Sequence, residues 1–153
     1  MPSFTPRNPD FAARVRDSFG RQGAMALIGA ELARVEPGAV DITVSFRPDL
    51  AQQHGYFHGG IVGMIADSAG GYAAFSLMPA DASVLTVEYK INLLAPAHGE
   101  RLIARGRVAR SGRTLTVAQV DVVVVRDGKE TPCATALQTL MAMVGKSDAG
   151  PRI

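Results

Sequence analysis

The sequence predicts an α+β protein in which a curled antiparallel sheet of about six strands wraps around one long central helix. The helix is indicated by the stretch from His58 to Met78, which is apolar, rich in Ala, Gly and Met, and poor in β-branched residues. Strand-like runs separated by turn signals lie on both sides of it along the chain. Because a helix that is apolar all round must be covered by other structure, we expect the sheet to enclose it.

Length and composition fit one globular domain. The chain has 153 residues, of which 47% are hydrophobic and 20% charged. Its one cysteine, Cys133, excludes an intrachain disulfide and a Cys-rich metal site, and it fits a reducing compartment such as the cytoplasm. The net charge of +2 without a Lys/Arg run does not indicate a nucleic-acid partner, but it suits a small anionic ligand.

The N-terminal region, residues 1–24, is predicted to form an irregular lead and one short helix. Phe11–Phe19 carries apolar residues at helical spacing and is followed by Gly20. No apolar segment follows a basic start, so no secretory signal is expected. Asp67 interrupts the longest apolar stretch, so a membrane span is not expected either.

The main domain is predicted to cover residues 25–145, with a flexible tail at 146–153. It opens with a hairpin, in which the run Met25–Val35, mostly strand, turns at Glu36-Pro37-Gly38 into the alternating run Ala39–Phe46. The open edges and exposed back face of the sheet indicate dimerisation. After the helix, four strand-like runs predict an antiparallel meander: Ser83–Leu94, Arg101–Arg110, Thr114–Val125 and Pro132–Val144.

Asp67 is the first candidate functional residue, because it is the only charged residue from His58 to Ala80. A carboxylate in the middle of an apolar helix must be paired, solvated by a cavity or protonated. Such groups are often functional. The alternative is a structural role, in which Asp67 caps a loop or pairs with an arginine across a dimer interface.

The segment that leads into the helix is the second candidate. Gly59 and Gly60 at the helix start leave backbone N–H groups unshielded, which can bind an anion or polarise a carbonyl. A tight entry turn explains the two glycines equally well. His58 and Asp67 are nine residues apart, about 180° around a continuous helix, so we expect His58 to brace the loop rather than form a dyad with Asp67.

The remaining features are weaker. His54 and His58 have the spacing of helical zinc ligands but lie in a loop without a third ligand, so no metal is expected. Cys133 is expected to be a buried small hydrophobe. Arg110 and Arg113 flank a turn where phosphate can bind, although a solvated turn is the simpler interpretation of that feature alone. The motifs of common serine hydrolases, NTPases and dinucleotide-binding proteins are absent.

Together these segments resemble the hotdog-fold acyl-CoA thioesterases, and in particular the PaaI-like (phenylacetic acid degradation) group. The resemblance covers about residues 25–144. It rests on His54-Gly55-x-x-His58-Gly59-Gly60 with Asp67 seven residues later, on Asn92–Ala97, on Gly99-Glu100 and on Arg110–Thr114.

This resemblance implies an active site at a dimer interface. The Gly59 N–H would polarise the thioester carbonyl, and Asp67 of the other subunit would act as nucleophile or as the base that activates water. Gln52 stands six residues before His58, where relatives carry Asn or Gln, and Thr86 stands where a Ser or Thr assists the water. Subunits would pair their sheets edge to edge, and such dimers usually form tetramers. No cofactor beyond the CoA of the substrate is implied.

The predicted function is hydrolysis of a small aryl- or short- to medium-chain acyl-CoA to the free acid and CoA. Alternatives are a non-catalytic acyl-CoA-binding hotdog protein, against which Asp67 argues, and, less favoured, an enoyl-CoA hydratase of the same fold. The acyl group is expected near the apolar residues around the helix start, and CoA at the basic turn. The residues expected to contact substrate are Phe57, Gly60, Ile61, Met64, Tyr72, Arg110, Ser111, Gly112, Arg113 and Thr114.

Overall fold

The computed structural model describes residues 3–150, which form three helices and one six-stranded antiparallel sheet. Residues 151–153 of the predicted tail lie outside this range. The helices are α1 (Phe11–Gly20), α2 (Gly23–Ile28) and α3 (Gly59–Phe75), and one 3₁₀ turn spans Pro48–Leu50. The strands are β1 (Ala30–Glu36), β2 (Ala39–Ser45), β3 (Ala82–Leu93), β4 (Arg101–Ser111), β5 (Leu115–Arg126) and β6 (Lys129–Val144).

The strand order is β1-β2-β4-β5-β6-β3, with β3 at one edge of the sheet. The meander is confirmed for β4, β5 and β6, but the prediction that β3 continues it is wrong, because β3 pairs with β6. The connection after β3 crosses the ends of the intervening strands. Leu94 N donates to Cys133 O near the start of β6, and Glu100 N donates to Val125 O at the end of β5. Residues 94–100 are long enough to cross the three strand spacings, about 14 Å, that separate β3 from β4.

The run Met25–Val35 is mostly strand, as predicted, but the strand does not begin at its start. Its first part belongs to α2, and the strand begins only at Ala30. Gly29 ends the helix with φ 69°, a left-handed conformation that favours glycine. A short apolar run fits a buried helix face as well as a strand, so periodicity could not separate the two here.

Helix α3 lies against the inner face of the sheet, as predicted. The closest approach is at Gly106 in β4, where a Cβ atom would lie 2.3 Å from the carbonyl oxygen of Ala69. Gly70 meets side chains of the neighbouring strands in the same way, and a Cβ there would lie 2.3 Å from Gln138 Oε1. Small residues at this contact let the helix pack directly on the sheet. None of the helices in the described residues has the length and hydropathy needed to cross a membrane.

The edge strand β3 exposes a row of large apolar side chains. Leu85, Val87, Tyr89 and Leu93 are between 44% and 59% exposed. An edge strand also presents unpaired backbone N–H and C=O groups, so a long apolar edge favours pairing with another chain. At the C-terminus, Arg21 donates to the Asp148 carboxylate at 2.7 Å, which joins the tail to the end of α1.

Candidate active site

The start of helix α3 presents a backbone N–H without an acceptor. His58 is the N-cap, and its Nδ1 accepts from the Gly60 N–H at 2.8 Å. The N–H groups of Ile61 and Val62 both donate to His58 O, at 2.9 and 3.2 Å. Among the hydrogen bonds of residues 3–150, none is donated by the Gly59 N–H. This donor lies at the positive end of the helix dipole, where it can polarise a carbonyl oxygen.

The Gly59 N–H opens into a cleft of about 450 Å³, which we call the Gly59 cleft. Gln52 lines it and uses its Oε1 to accept from the N–H groups of His54 and Tyr56, so its amide nitrogen remains for a ligand. Phe57 forms one buried wall, packed edge-on against Phe46 with ring centroids 5.2 Å apart. The lining residues are Gln52, Tyr56, Phe57, Gly59, Val62, Leu93, Leu94, Ala95, Pro96, Ala97 and Cys133.

The Asp67 carboxylate is half-buried and held on one of its two oxygens. Thr86 Oγ1 donates to Asp67 Oδ1 at 2.7 Å. Gln138 Nε2 donates to Asp67 O at 3.2 Å and lies 3.4 Å from Oδ1. No described residue donates to Oδ2, so this oxygen is available to a water or to a substrate carbon.

Gln138 is a residue that the sequence reasoning missed. Its side chain is fully buried, and its Oε1 is the one buried side-chain polar atom within residues 3–150 that has no hydrogen-bond partner. Such a group costs about 1–3 kcal/mol of stability. The sequence did contain one indication of its role. Gln138 is a polar residue at an inward-facing position of an alternating strand, between the buried Ala136 and Leu140.

Asp67 lies beside a second cavity of about 560 Å³, which we call the Asp67 cavity. Tyr72 lines this cavity, whereas Phe57 lines the Gly59 cleft, and Ile61 and Met64 line neither. The apolar residues predicted to surround the acyl group are therefore divided between two places. The lining residues are Ser18, Arg21, Gln22, Asp67, Ser68, Gly71, Tyr72, Val84, Leu85, Thr86, Asp148 and Gly150.

Both cavities border the edge strand β3, the Asp67 cavity at Val84–Thr86 and the Gly59 cleft at Leu93. Residues at a spacing of four on the helix lie beside β3 residues that are three or four apart, and a Cβ atom at Gly63 would lie 3.6 Å from Tyr89 Oη. A Cβ atom at Gly59 would contact Leu93, and Asp67 contacts Thr86 further along the helix. Eight residues separate Gly59 from Asp67, which is about 12 Å along the helix axis. The N–H and the carboxylate of one chain therefore cannot act on the same carbonyl group.

The basic turn between β4 and β5 is exposed. The Gly112 N–H donates to Leu115 O at 2.8 Å and closes the turn, and Thr114 O accepts from Ala142 N at 2.8 Å. This second bond places the turn beside the end of β6 that pairs with the start of β3. Arg110 and Arg113 are exposed, and neither forms an ion pair in the part of the chain that the structure describes.

The other candidates do not form reactive sites. Cys133 is 1% exposed and contacts Val122 O at 3.4 Å, and burial raises the pKa of its thiol to about 11. A thiol of this kind is a poor nucleophile at neutral pH. Within residues 3–150, no group of three His, Cys, Asp or Glu side chains is placed to hold a metal ion.

Comparison with known proteins identifies the class. The chain matches the thioesterase superfamily over residues 54–131. A protein of Halobacterium salinarum that bears the name "Putative esterase" is 31% identical over 123 residues, which are 77% of this chain and 81% of that protein. A crystal structure of a thioesterase family protein from Silicibacter pomeroyi is 51% identical, with a TM-score of 0.87 over 88% of this chain and 99% of that chain. The chain therefore belongs to the thioesterase superfamily and has its hotdog fold.

A more distant structure supports the fold alone. The PaaI protein of the phenylacetic acid degradation operon of E. coli has a TM-score of 0.79 at 18% sequence identity, over 89% of this chain and 95% of that chain. Membership of the PaaI-like group stays a prediction.

Proposed function

We propose that this protein is an acyl-CoA thioesterase that hydrolyses small aryl- or short- to medium-chain acyl-CoA esters at two composite sites of a homodimer. The observation that carries the proposal is the pair formed by the free Gly59 N–H and the Asp67 carboxylate. Each opens into a cavity, and both lie beside the same apolar edge of the sheet. Thioester hydrolysis needs a carbonyl polariser and an oxygen nucleophile or base, and these two groups supply them.

The edge strand explains how the two groups would meet. If β3 pairs antiparallel with β3 of a second copy, the Ala82 end of one strand comes to the Leu93 end of the other. Asp67 and Thr86 lie beside the first half of β3, and Gly59 lies beside Leu93 at its end. Such pairing brings Asp67 of one subunit towards Gly59 of the partner subunit. It also covers the apolar side chains along the edge.

The proposed reaction proceeds through attack on the thioester carbonyl carbon. The carbonyl oxygen accepts the hydrogen bond from the Gly59 N–H, which stabilises the oxyanion as it forms. Asp67 either takes a proton from the attacking water or attacks through Oδ2, while Thr86 holds Oδ1. The carbon–sulfur bond then breaks, and the CoA sulfur takes up the proton that Asp67 received from the water or, in the second route, a proton from the solvent. Hydrolysis of an acyl-aspartate would complete the second route with the same products.

The polar parts of CoA match other features of the proposed site. Arg110 and Arg113 present guanidinium groups without ion-pair partners among the described residues, and such groups bind phosphate by paired hydrogen bonds. Gln52 lines the Gly59 cleft, and its amide nitrogen would serve there as a further donor. In a dimer of dimers, the exposed Leu137 on the back of the sheet would lie at the second interface.

The test is release of free thiol from a panel of aryl- and alkyl-CoA esters by the wild type and by Asp67→Asn. We predict hydrolysis of some esters by the wild type and a loss of at least ~100-fold for Asp67→Asn, the range expected when a general base is removed. Asp127→Asn, in the exposed β5–β6 turn, is the matched control and should keep the wild-type rate. A wild type that binds CoA but hydrolyses no ester contradicts the proposal and favours the binding-protein alternative.

A further inference from the structure

Gln138 on β6 is a buried polar side chain that contacts the carboxylate of the proposed site. It is 0% exposed. Its Nε2 donates to Asp67 O at 3.2 Å and lies 3.4 Å from Asp67 Oδ1. Its Oε1 has no hydrogen-bond partner among residues 3–150. A buried acceptor without a partner lowers the stability of a fold, so the presence of a glutamine at this position requires an explanation.

The orientation of the Gln138 amide is determined by Asp67. Both Asp67 atoms that lie near Nε2 are acceptors, and they would repel Oε1 if the amide were turned over. The amide packs over α3 at Gly70, where a Cβ atom would lie 2.3 Å from Oε1 and 2.6 Å from Cδ. The absence of a side chain at Gly70 therefore makes the space for the amide. Its nitrogen faces Asp67, and its unpaired oxygen lies beside Gly70.

Two neighbouring strands direct donors to the same carboxylate oxygen. Thr86 on β3 donates to Asp67 Oδ1 at 2.7 Å, and Gln138 approaches this oxygen from β6. The two strands are paired, and Thr86 lies opposite Leu140, two residues from Gln138. The end of an aspartate side chain turns easily about its last bond, so donors from two strands of one sheet restrict it more than one donor does. Both contacts are to Oδ1, and Oδ2 is left for the reaction.

A structural role alone does not account for Gln138. The Asp67 carbonyl lies in the middle of α3, where it accepts the helical hydrogen bond from the Gly71 N–H, and Oδ1 also accepts from Thr86. Methionine is close to glutamine in size, so it would leave no partner unsatisfied and would remove the unpaired oxygen. A fold that needed only stability would therefore favour an apolar side chain here.

We infer that Gln138 is a positioning residue, which holds the Asp67 carboxylate in the orientation needed for attack and lowers the stability of the fold in doing so. The inference rests on the proposed function, because a reacting carboxylate needs a fixed orientation. Gln138 lines neither of the two cavities, so it acts through Asp67 rather than on the substrate. Removal of the amide should therefore change stability and turnover in opposite directions.

The test is Gln138→Met, which keeps the length of the side chain and removes both polar atoms. We expect the melting temperature to rise by about 2–4 °C. We also expect kcat for the preferred ester to fall about 10- to 100-fold, with KM within about twofold of the wild type. Gln119→Met is the matched control, because Gln119 is exposed between two buried residues of β5. It should leave the melting temperature and kcat unchanged.

Gln138→Leu repeats the test with a second apolar side chain, so that poor packing of one variant is recognised. Loss of stability in both apolar variants overturns the inference, because it would show that the amide contributes to the fold. Wild-type kcat in an apolar variant that is at least as stable as the wild type overturns it as well, because the carboxylate would then react without the amide.

Crystal structures of the wild type and Gln138→Met test the positioning apart from turnover. We expect one Asp67 conformer in the wild type, with Oδ1 between Thr86 and Gln138, and a turned or multiple carboxylate in the variant. If no ester is hydrolysed but the variant is more stable and its carboxylate has moved, the positioning is supported and only the proposed function fails. An Asp67 carboxylate that keeps its wild-type conformation in the variant overturns the inference.

Discussion

The proposed mechanism depends on one backbone hydrogen, that of the Gly59 N–H, which would polarise the thioester carbonyl. It can be removed without removing a side chain, because proline at the first helical position keeps the helix but lacks an N–H. His58 has φ −61° and ψ 137°, the extended conformation that a residue before proline prefers. The site therefore allows a clean test of the proposed carbonyl polariser.

Gly59→Pro is predicted to lower kcat by about 10²–10³-fold, the usual effect of removing one oxyanion donor. Gly59→Ala is the matched control because it retains the N–H. Its Cβ atom would lie 3.0 Å from Leu93 Cδ1, at the end of an exposed side chain that can move. Steady-state rates and the melting temperature of both variants are measured. If Gly59→Pro folds and keeps wild-type kcat, another group polarises the carbonyl.

The sequence identified the candidate residues but not their surroundings. Asp67 stood out because it is one charge in a long apolar helix. The sequence also predicted that His58 would brace the loop, and its Nδ1 accepts from the Gly60 N–H. Gln138 was missed because its contact with Asp67 depends on how β6 lies against α3, which no local pattern specifies.

At the scale of elements, two neighbouring glycines of α3 differ in how closely the sheet packs against them. Gly70 and Gly71 are adjacent and both buried. A Cβ atom at Gly70 would lie 2.3 Å from Gln138 Oε1 and 2.9 Å from Val120 Cγ2, whereas one at Gly71 would lie 3.6 Å from Leu140 Cδ2. Only the first of these glycines is required by packing.

Gly70→Ala is predicted to lower the free energy of unfolding by about 1–3 kcal/mol, because it overpacks the contact between the helix and the sheet. Gly71→Ala, the neighbouring control, should raise it by up to about 1 kcal/mol through the higher helix propensity of alanine. Urea denaturation of the two variants measures both changes. Equal stabilities of the two variants would show that α3 does not pack on β5 and β6 as described.

Strand partners were harder to predict than strands. The strand-like runs after the helix predicted β4, β5 and β6 in their observed order. The position of β3 depends on a connection that crosses the sheet end, and its hydrogen bonds join residues more than twenty apart in the chain. The boundary between α2 and β1 was missed for the opposite reason, because a short apolar run is compatible with either structure.

At the scale of the whole molecule, the two groups of the proposed site lie apart within one chain. The Gly59 cleft and the Asp67 cavity are both concave and lie side by side along an apolar edge. The distance of about 12 Å along α3 keeps them from acting together within one subunit. In the proposed dimer, the second subunit would complete the catalytic geometry. The dimer itself, the tetramer and the cytoplasmic location stay predictions.

The most direct test of this composite site is complementation between inactive subunits. Asp67→Asn and Gly59→Pro chains carrying different affinity tags are co-expressed, and the mixed dimers are isolated by both tags. One site of a mixed dimer then holds both lesions, and the other holds an intact Asp67 and an intact Gly59 from different chains. We predict that mixed dimers recover about half of the wild-type activity, while each variant alone stays inactive. Mixed dimers as inactive as their parents would contradict the account, because they would place the whole active site within one chain.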